Sequence, residues 1–359
     1  MSKPENSGQK SFALRGIWML QQELAMNEST LIRPGGASQC LCTKEQQRSP
    51  SRHDPLAPTI FHEEWWLDAA TGGDFDVAEA TAGGRTVGRF PFHMKRRFGL
   101  TMIRMPHLTY FLGPAIDEGE GSRNNRFLKR LEVTRELIDR LPSSSSRYVK
   151  CHAGTTDVIA FQERGFRTYV QFTNEVHPQP VEALWKQMRN KTRNVIRRAE
   201  ERLVIREITD PVEFVQLFEW NLALKGMQSE LNTKLCLKII AASLERRRGR
   251  ILAACDKSNQ VVAANICVWD NTASYYLLSS RTNNSGNGAS SLLIWEAIKD
   301  AASRKLVFDF AGLGTYGSVL LYAGFGGTMS PRYVAVRTGS LARMVIGAKS
   351  LFMPENFFY

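Results

Sequence analysis

Between residues 273 and 305 the chain runs ASYYLLSSR, NNSGNGAS, SSLLIWEAIKDAASRK: an aromatic and aliphatic stretch, a small-residue turn, and an amphipathic stretch that opens on serines. A strand delivered through such a turn into a helix presents unpaired amides at the positive end of the helix dipole, which is the chemistry of phosphate binding. The positions concerned are Asn283, Ser285, Gly286, Asn287, Gly288 and Ala289, and the small residues Gly286, Gly288 and Ala289 would let a ligand approach the backbone. A pyrophosphate-bearing cofactor is the first expectation. Many turns of this kind only connect a strand to a helix, so the surroundings must decide.

A second chemical feature lies upstream, in LWKQMRNKTRNVIRRAEERL. Trp185, Met188, Val195, Ile196 and Ala199 form an apolar stripe at three-to-four spacing, which predicts one helix spanning the middle of the chain. Its other faces carry Lys186, Arg189, Lys191, Arg193, Arg197, Arg198 and Arg202 against Glu200 and Glu201, seven cations to two anions. Lys186, Arg193 and Arg197 fall on one side, where they could bind the phosphates of an activated sugar or polysaccharide precursor. A solvated surface is the plainer reading.

These features need elements to hold them, and 359 residues suit two units of roughly 150 each. The expected division is a tail over 1–57, a first half over 58–180, the basic linking helix over 181–202, a second half over 203–340 and an extension over 341–359. The net charge of +12 favours an anionic partner such as a nucleotide, a CoA ester, RNA or a membrane surface. Six cysteines without paired spacing beyond Cys40 and Cys42 suggest reduced, buried thiols. The six histidines are scattered, so no metal site is expected. No apolar run approaches the roughly 20 residues of a membrane span, and a cytoplasmic protein is expected.

In the first half, DFDVAEA, RTVGRFPFHM and LTMIRMPHLTYFLG predict a meander, NRFLKRLEVTRELIDRLP a helix, RYVKCH a strand, DVIAFQERGF a helix and RTYVQFTNEV a strand. After the linking helix come a strand in VIREITD and helices in PVEFVQLFEWNLALKG and TKLCLKIIAASLERRRG. The remainder repeats the first half's order: a meander in RILAACD, QVVAANICVWD and ASYYLLSSR, then helix, strand, short helix and strand. Each half closes on a Gly-Phe pair before its last strand, Gly165-Phe166 and Gly324-Phe325, which points to an internal duplication.

That order resembles the GCN5-related N-acetyltransferases (GNATs), and its duplication resembles their FemAB-like branch. The resemblance is carried by FHEEWWLDAA, MPHLTYFLGP, the W-x3-R-x3-R-x3-R series of the linking helix, GASSLLIWEAIKDA, FDFAG and GFGG, spread over about residues 58 to 338. It implies an α/β fold of two tandem acyl-CoA N-acyltransferase-like halves, with mixed, mostly antiparallel sheets flanked by helices. It also implies transfer of an acetyl or other acyl group from acyl-CoA, or an aminoacyl group from charged tRNA, to an amine. In such folds the strand before the phosphate loop splays from its neighbour, so the backbone of Leu278 and Ser279 would bind the pantetheine and the loop amides the pyrophosphate. The chain departs from the pattern in three places. Where Fem peptidyltransferases carry an inserted helical hairpin associated with tRNA, the linking segment here is one short helix. Asn283 stands where a Gln or Arg is usual, and Leu321-Tyr322 stands where Fem peptidyltransferases carry Phe-Lys. The missing lysine favours an acyl-CoA donor over tRNA.

Amine acylation needs a base for the attacking ammonium, a polarised carbonyl and an acid for the leaving thiolate. Asp309 in FDFAG is the candidate base, with a structural carboxylate as the alternative. Tyr322 and Tyr316 are candidate acids or acceptor-side contacts, although such tyrosines often only pack. His107, and His62 beside Glu63 and Glu64, are further candidate bases or satisfied core histidines. Trp295, Leu292 and Ile298 belong to the core. The expectation is a bacterial-type acyltransferase acting on an anionic, amine-bearing acceptor, for example a cell-wall precursor. The rivals are a Fem-type aminoacyl-tRNA-dependent transferase and a nucleic-acid-binding or scaffold protein that keeps only the fold.

Overall fold

The structure is a computed structural model that describes residues 54–97, 99–224, 231–282 and 288–339. The expected tail lies outside the described residues up to 53, and the expected extension over 341–359 lies outside them entirely.

A 3-10 turn at Ile60–His62 and helix α1 (Glu64–Thr71) precede strands β1 (Asp76–Ala82), β2 (Arg85–Arg97), β3 (Leu100–Arg104) and β4 (Ala115–Ile116). Helix α2 (Arg123–Asp139), β5 (Ser146–Lys150), α3 (Ile159–Glu163) and β6 (Arg167–Val176) follow. Next come α4 (Val181–Gln187), α5 (Asn190–Glu200), β7 (Val204–Ile208), α6 (Pro211–Leu224) and α7 (Thr233–Glu245). The chain continues through β8 (Gly249–Cys255), β9 (Val261–Trp269), β10 (Ala273–Arg281), α8 (Ala289–Ser303), β11 (Val307–Asp309), α9 (Tyr316–Tyr322), a 3-10 turn and β12 (Thr328–Thr338). Local signals set many of these ends. Ser122 caps α2 by accepting from the amide of Asn125, Asn232 caps α7, and Thr315 and Ser318 form a capping box on α9.

Two expectations change. The linking segment is two helices, because Met188 is extended at φ −66°, ψ 148°, and the amide of Arg189 donates to the carbonyl of Gly324 instead of continuing the helix. Burying Met188 and seating the chain on the Gly324 turn outweigh helical continuity. The third strand of the first meander stops at Arg104, and Pro106, which has no amide to give a ladder, lies in the loop that follows.

Among the described residues twelve strands form one sheet in the order β1-β2-β3-β5-β12-β6-β11-β10-β9-β8-β7, with β4 beside β2. The last strand of each half crosses into the other half's side of the sheet, so β12 lies between β5 and β6, and β6 lies between β12 and β11. Parallel pairs sit symmetrically about this crossing, β3 with β5 and β10 with β11. The offset from Gly165 to Gly324 carries Phe172 onto Pro331, and these two residues face each other in the β6–β12 register. The duplicated order and the sheet register therefore agree at one point.

Apolar clusters lie on both faces. One packs α1, α6 and α7 over β8–β10 through Trp66, Phe214, Ile239, Ile266 and Leu277. Another packs α5 and α8 on the opposite face through Ile196, Ala199, Leu292, Trp295 and Ile298, and a third packs α2 and α3 over the first half's strands. The described cysteines, Cys151, Cys236, Cys255 and Cys267, are free and buried.

Candidate functional site

The parallel pairing of β10 with β11 lasts only from Ala273 to Tyr275, opposite Val307 to Asp309. Past that point the amide of Phe310 turns to the carbonyl of Asn174 on β6, and among the described residues β10 has no strand partner on that side. A bulge at Leu277 shifts the β9–β10 register between Tyr276 and Leu278, which re-aims the strand as it leaves its neighbour. Beyond the bulge Leu278 is half-buried and Ser279 exposed, so the strand edge is open to solvent where a ligand backbone could pair with it.

The first half diverges in the same way and then refills the gap. Here β3 and β5 pair only at Met102–Ile103 with Ser146–Arg147. The sulfur of Met105 then accepts from the amide of Lys150 at 3.5 Å, the amide of Leu112 donates to the Lys150 carbonyl at 2.8 Å, and the amide of His152 donates to the Leu112 carbonyl at 3.0 Å. The segment expected as a third long strand thus plugs its own opening.

It also reaches across to the second one. The hydroxyl of Tyr110 donates to the carbonyl of Leu277 at 2.6 Å. Burial pushes the Tyr110 phenol up, and nearby Tyr322 adds to the shift. Tyr322 stacks on Phe310 with centroids 4.2 Å apart and meets Tyr276 edge-on at 6.0 Å. Burial raises the Tyr276 phenol, and nearby Tyr322 adds to the shift. Three phenols therefore gather at the divergence, Tyr322 among them, and burial raises that one too.

Asp309 is 1% exposed. One carboxylate oxygen accepts from Thr173 Oγ1 at 2.5 Å and from the amide of Ala311 at 2.7 Å, and the other accepts from Arg332 at 2.9 Å. Burial raises its pKa while Arg332 and these donors oppose the rise. With both oxygens engaged, Asp309 holds the loop after β11, where Ala311 has φ 60° and Gly312 φ 133°, rather than offering a free base. Arg332, 4% exposed, also binds Glu175 at 2.5 Å. Burial works against ionised Glu175, but Ser330 and Arg332 outweigh it and hold the carboxyl below its ordinary range.

The histidines lie elsewhere. His62 is buried, with Nδ1 2.8 Å from Thr59 Oγ1, Nε2 3.3 Å from the Gly113 carbonyl and its ring 5.0 Å from that of His152. Burial, then His152, lowers it well below the ordinary histidine value. That is a core histidine. His107 packs by its amide on the Ala70 carbonyl of α1, and burial, assisted by Lys95, lowers it to about 4. Neither histidine joins the tyrosine group.

Of the expected phosphate loop, Asn283, Ser285, Gly286 and Asn287 lie outside the described residues. Gly288 and Ala289 are described: α8 opens at Gly288 with no side-chain cap, and Ala289 is buried. Gly288 has φ 130°, and a Cβ there would stand 3.0 Å from Ala199 Cβ and 3.1 Å from the Val195 carbonyl. Its missing side chain makes room for α5. Asn265, paired to Ser279 across β9 and β10, is buried with neither side-chain polar atom hydrogen-bonded among the described residues.

Helix α5 brings the basic residues beside this opening, but not all remain available. Arg193 donates to the carbonyls of Trp185 and Lys186 at 3.3 and 3.2 Å and to Asn190, so it ties α4 to α5. Arg197 lies over the Trp185 ring at 5.4 Å, and Lys186 is exposed. Tyr316, at the start of α9, is 77% exposed. A surface groove between Leu244, Arg247, Arg250 and Trp269 lies at the other end of β9 and holds none of these residues.

Sequence reasoning did not single out Tyr110, Lys150, Thr173, Asn174, Glu175 or Arg332. The available signal was a charged or amide residue inside an apolar strand, as in RYVKC, QFTNEV and PRYVAV, since such groups are buried only with partners.

The model of the acetyltransferase (GNAT) domain family matches residues 186–317. No curated protein sequence matches the chain. Among solved structures, FemX is similar over 79% of this chain and 93% of its own, with 12% identity and a TM-score of 0.60. The C-terminal domain assigned to a lysylphosphatidylglycerol synthetase of Agrobacterium fabrum is similar over 80% of this chain and 96% of its own, with 13% identity and a TM-score of 0.53. The diverging β10–β11 pair and the matched domain converge: residues 186–317 match the acetyltransferase (GNAT) domain family, and the chain as a whole shares the fold of FemX.

Proposed function

We propose that the protein transfers an acyl group from an acyl-CoA thioester to an amine, with the donor lying in the β10–β11 opening of the second half. The observation that carries this reading is the edge of β10 after Tyr275, which no strand pairs among the described residues. This strand precedes α8, where the N-cap Gly288 has no side chain to cap the helix. Backbone groups at Leu278 and Ser279 would pair with the pantetheine, and the first-turn amides of α8 would take the pyrophosphate. Tyr322, whose hydroxyl is not committed to Leu277, would return a proton to the leaving thiolate. The first half's opening is plugged by its own chain, which leaves it the acceptor side. The acceptor would be an amine on an anionic carrier, such as a cell-wall or polysaccharide precursor, drawn by Lys186 and Arg197. Calorimetric titration of the full chain with acetyl-CoA tests the reading: one binding event per chain supports it, and no heat of binding ends it.

The second reading replaces CoA by an aminoacyl-tRNA. Its support is α5, whose exposed Arg197 and Arg198 lie on the helix packed against the α8 start, together with the name lysylphosphatidylglycerol synthetase borne by one structural relative. Leu321-Tyr322 in place of Phe-Lys weighs against it. Retention of charged tRNA on filters, without acetyl-CoA binding, would favour the second reading over the first.

A further inference from the structure

Lys150 is the last residue of β5, opposite Val334 on β12, and its side chain shares a sheet face with Arg332. Its Nζ stands 5.0 Å from the centroid of the Phe111 ring and makes no hydrogen bond or ion pair among the described residues. Arg332 lies over the same ring at 5.0 Å. An ammonium has three donors, and leaving all of them unused in a half-buried place is unfavourable. Burial lowers the Lys150 pKa to about 8, Asp309 opposes that shift and Arg332 adds to it. At pH 7.5 a drop from 10.5 to about 8 gives roughly two-hundredfold more neutral amine than an ordinary lysine has.

The amine is also close to the opening. A Cβ on Gly312 would stand 3.3 Å from Nζ, and Gly312 comes three residues after Asp309, where β11 parts from β10. Phe111, beneath the amine, follows Tyr110, whose hydroxyl is on the Leu277 carbonyl. Lys150 therefore reaches from a first-half strand to the loop that follows β11.

We infer that Lys150 is a self-acylation site, at which the chain's own ε-amine takes the acyl group from a bound thioester when no acceptor is present. This rests on the donor reading above. In the step the neutral Nζ attacks the thioester carbonyl, a C–N bond forms and the C–S bond breaks. CoA leaves as the thiolate, and the proton lost by nitrogen reaches it through solvent. The product is an amide, which neutralises the only cation at this point that lacks a carboxylate partner among the described residues.

The test is incubation of the full chain with acetyl-CoA at pH 7.5 without acceptor, followed by peptide mass mapping. Acetylation of Lys150 should exceed that of exposed Lys257 by about tenfold or more, allowing for restricted access to the neutral amine. Excess CoA should suppress the reaction at Lys150 and leave Lys257 unchanged, and Lys150→Arg should remove the modification while melting as the wild type does. Acetylation no faster than at Lys257, or indifferent to CoA, overturns the inference when calorimetry shows acetyl-CoA bound. Absence of binding in calorimetry would instead bring down the donor reading, and this inference with it.

Discussion

Tyr110 and Leu277 are 167 residues apart in sequence, and the phenol of one donates to the carbonyl of the other at 2.6 Å. The bond joins a first-half loop to the bulge at which β10 leaves β11. It ties the loop that plugs the first opening to the rim of the second.

Tyr110→Phe keeps the ring in its cluster and leaves the Leu277 carbonyl without its donor. The expected cost is about 1–3 kcal/mol, the penalty for a buried acceptor left unpaired. Urea unfolding should show a lower midpoint with an unchanged slope.

Arg332→Met leaves the buried Asp309 and the half-buried Glu175 without their shared cation, and the expected loss is about 3–5 kcal/mol. A loss below 1 kcal/mol in equilibrium unfolding would contradict the described network.

Two histidines, one buried and one half-buried, give stability a pH dependence. His62 and His107 have folded pKa values below the ordinary 6.5, His107 at about 4, so the unfolded chain binds more protons as pH falls. Their contribution is complete above pH 6.5 and is lost progressively below it, toward pH 4. Thermal melts between pH 7.5 and 5 should fall accordingly, and His107→Gln should flatten part of that fall.

Ser290, in the first turn of α8 and half-buried, is a better probe of the donor site than Gly288, whose substitution would push α5 away. Ser290→Glu places a carboxylate at the helix start, which the dipole tolerates, yet it repels a pyrophosphate. The variant should fold as the wild type does and bind acetyl-CoA at least about tenfold more weakly by calorimetry.

Much of the architecture was legible. The meanders, the helix after each one and the Gly-Phe repeats follow from period and turn chemistry, and Trp295, Leu292 and Ile298 are in the core as their spacing predicts. The exchange of β6 and β12 was not legible, because strand order across halves is a long-range choice that local periodicity does not encode. The break at Met188 has the same origin: apolar spacing over 185–199 is compatible with one helix, and only the Gly324 carbonyl decides otherwise. Asp309 was found for its place between aromatic residues, but its occupation by Thr173, Ala311 and Arg332 depends on three other segments. Lys150 escaped notice because a single lysine at a strand end usually reaches water.

Hydrogen exchange followed at the amides of β10 on addition of acetyl-CoA tests the central claim most directly. The account predicts added protection at Leu278 and Ser279 in the second half's opening, with the exchange of Ile103 and Arg104 in the first half unchanged. Protection of the first half's strand, or acetyl-CoA binding that leaves β10 untouched, would contradict it.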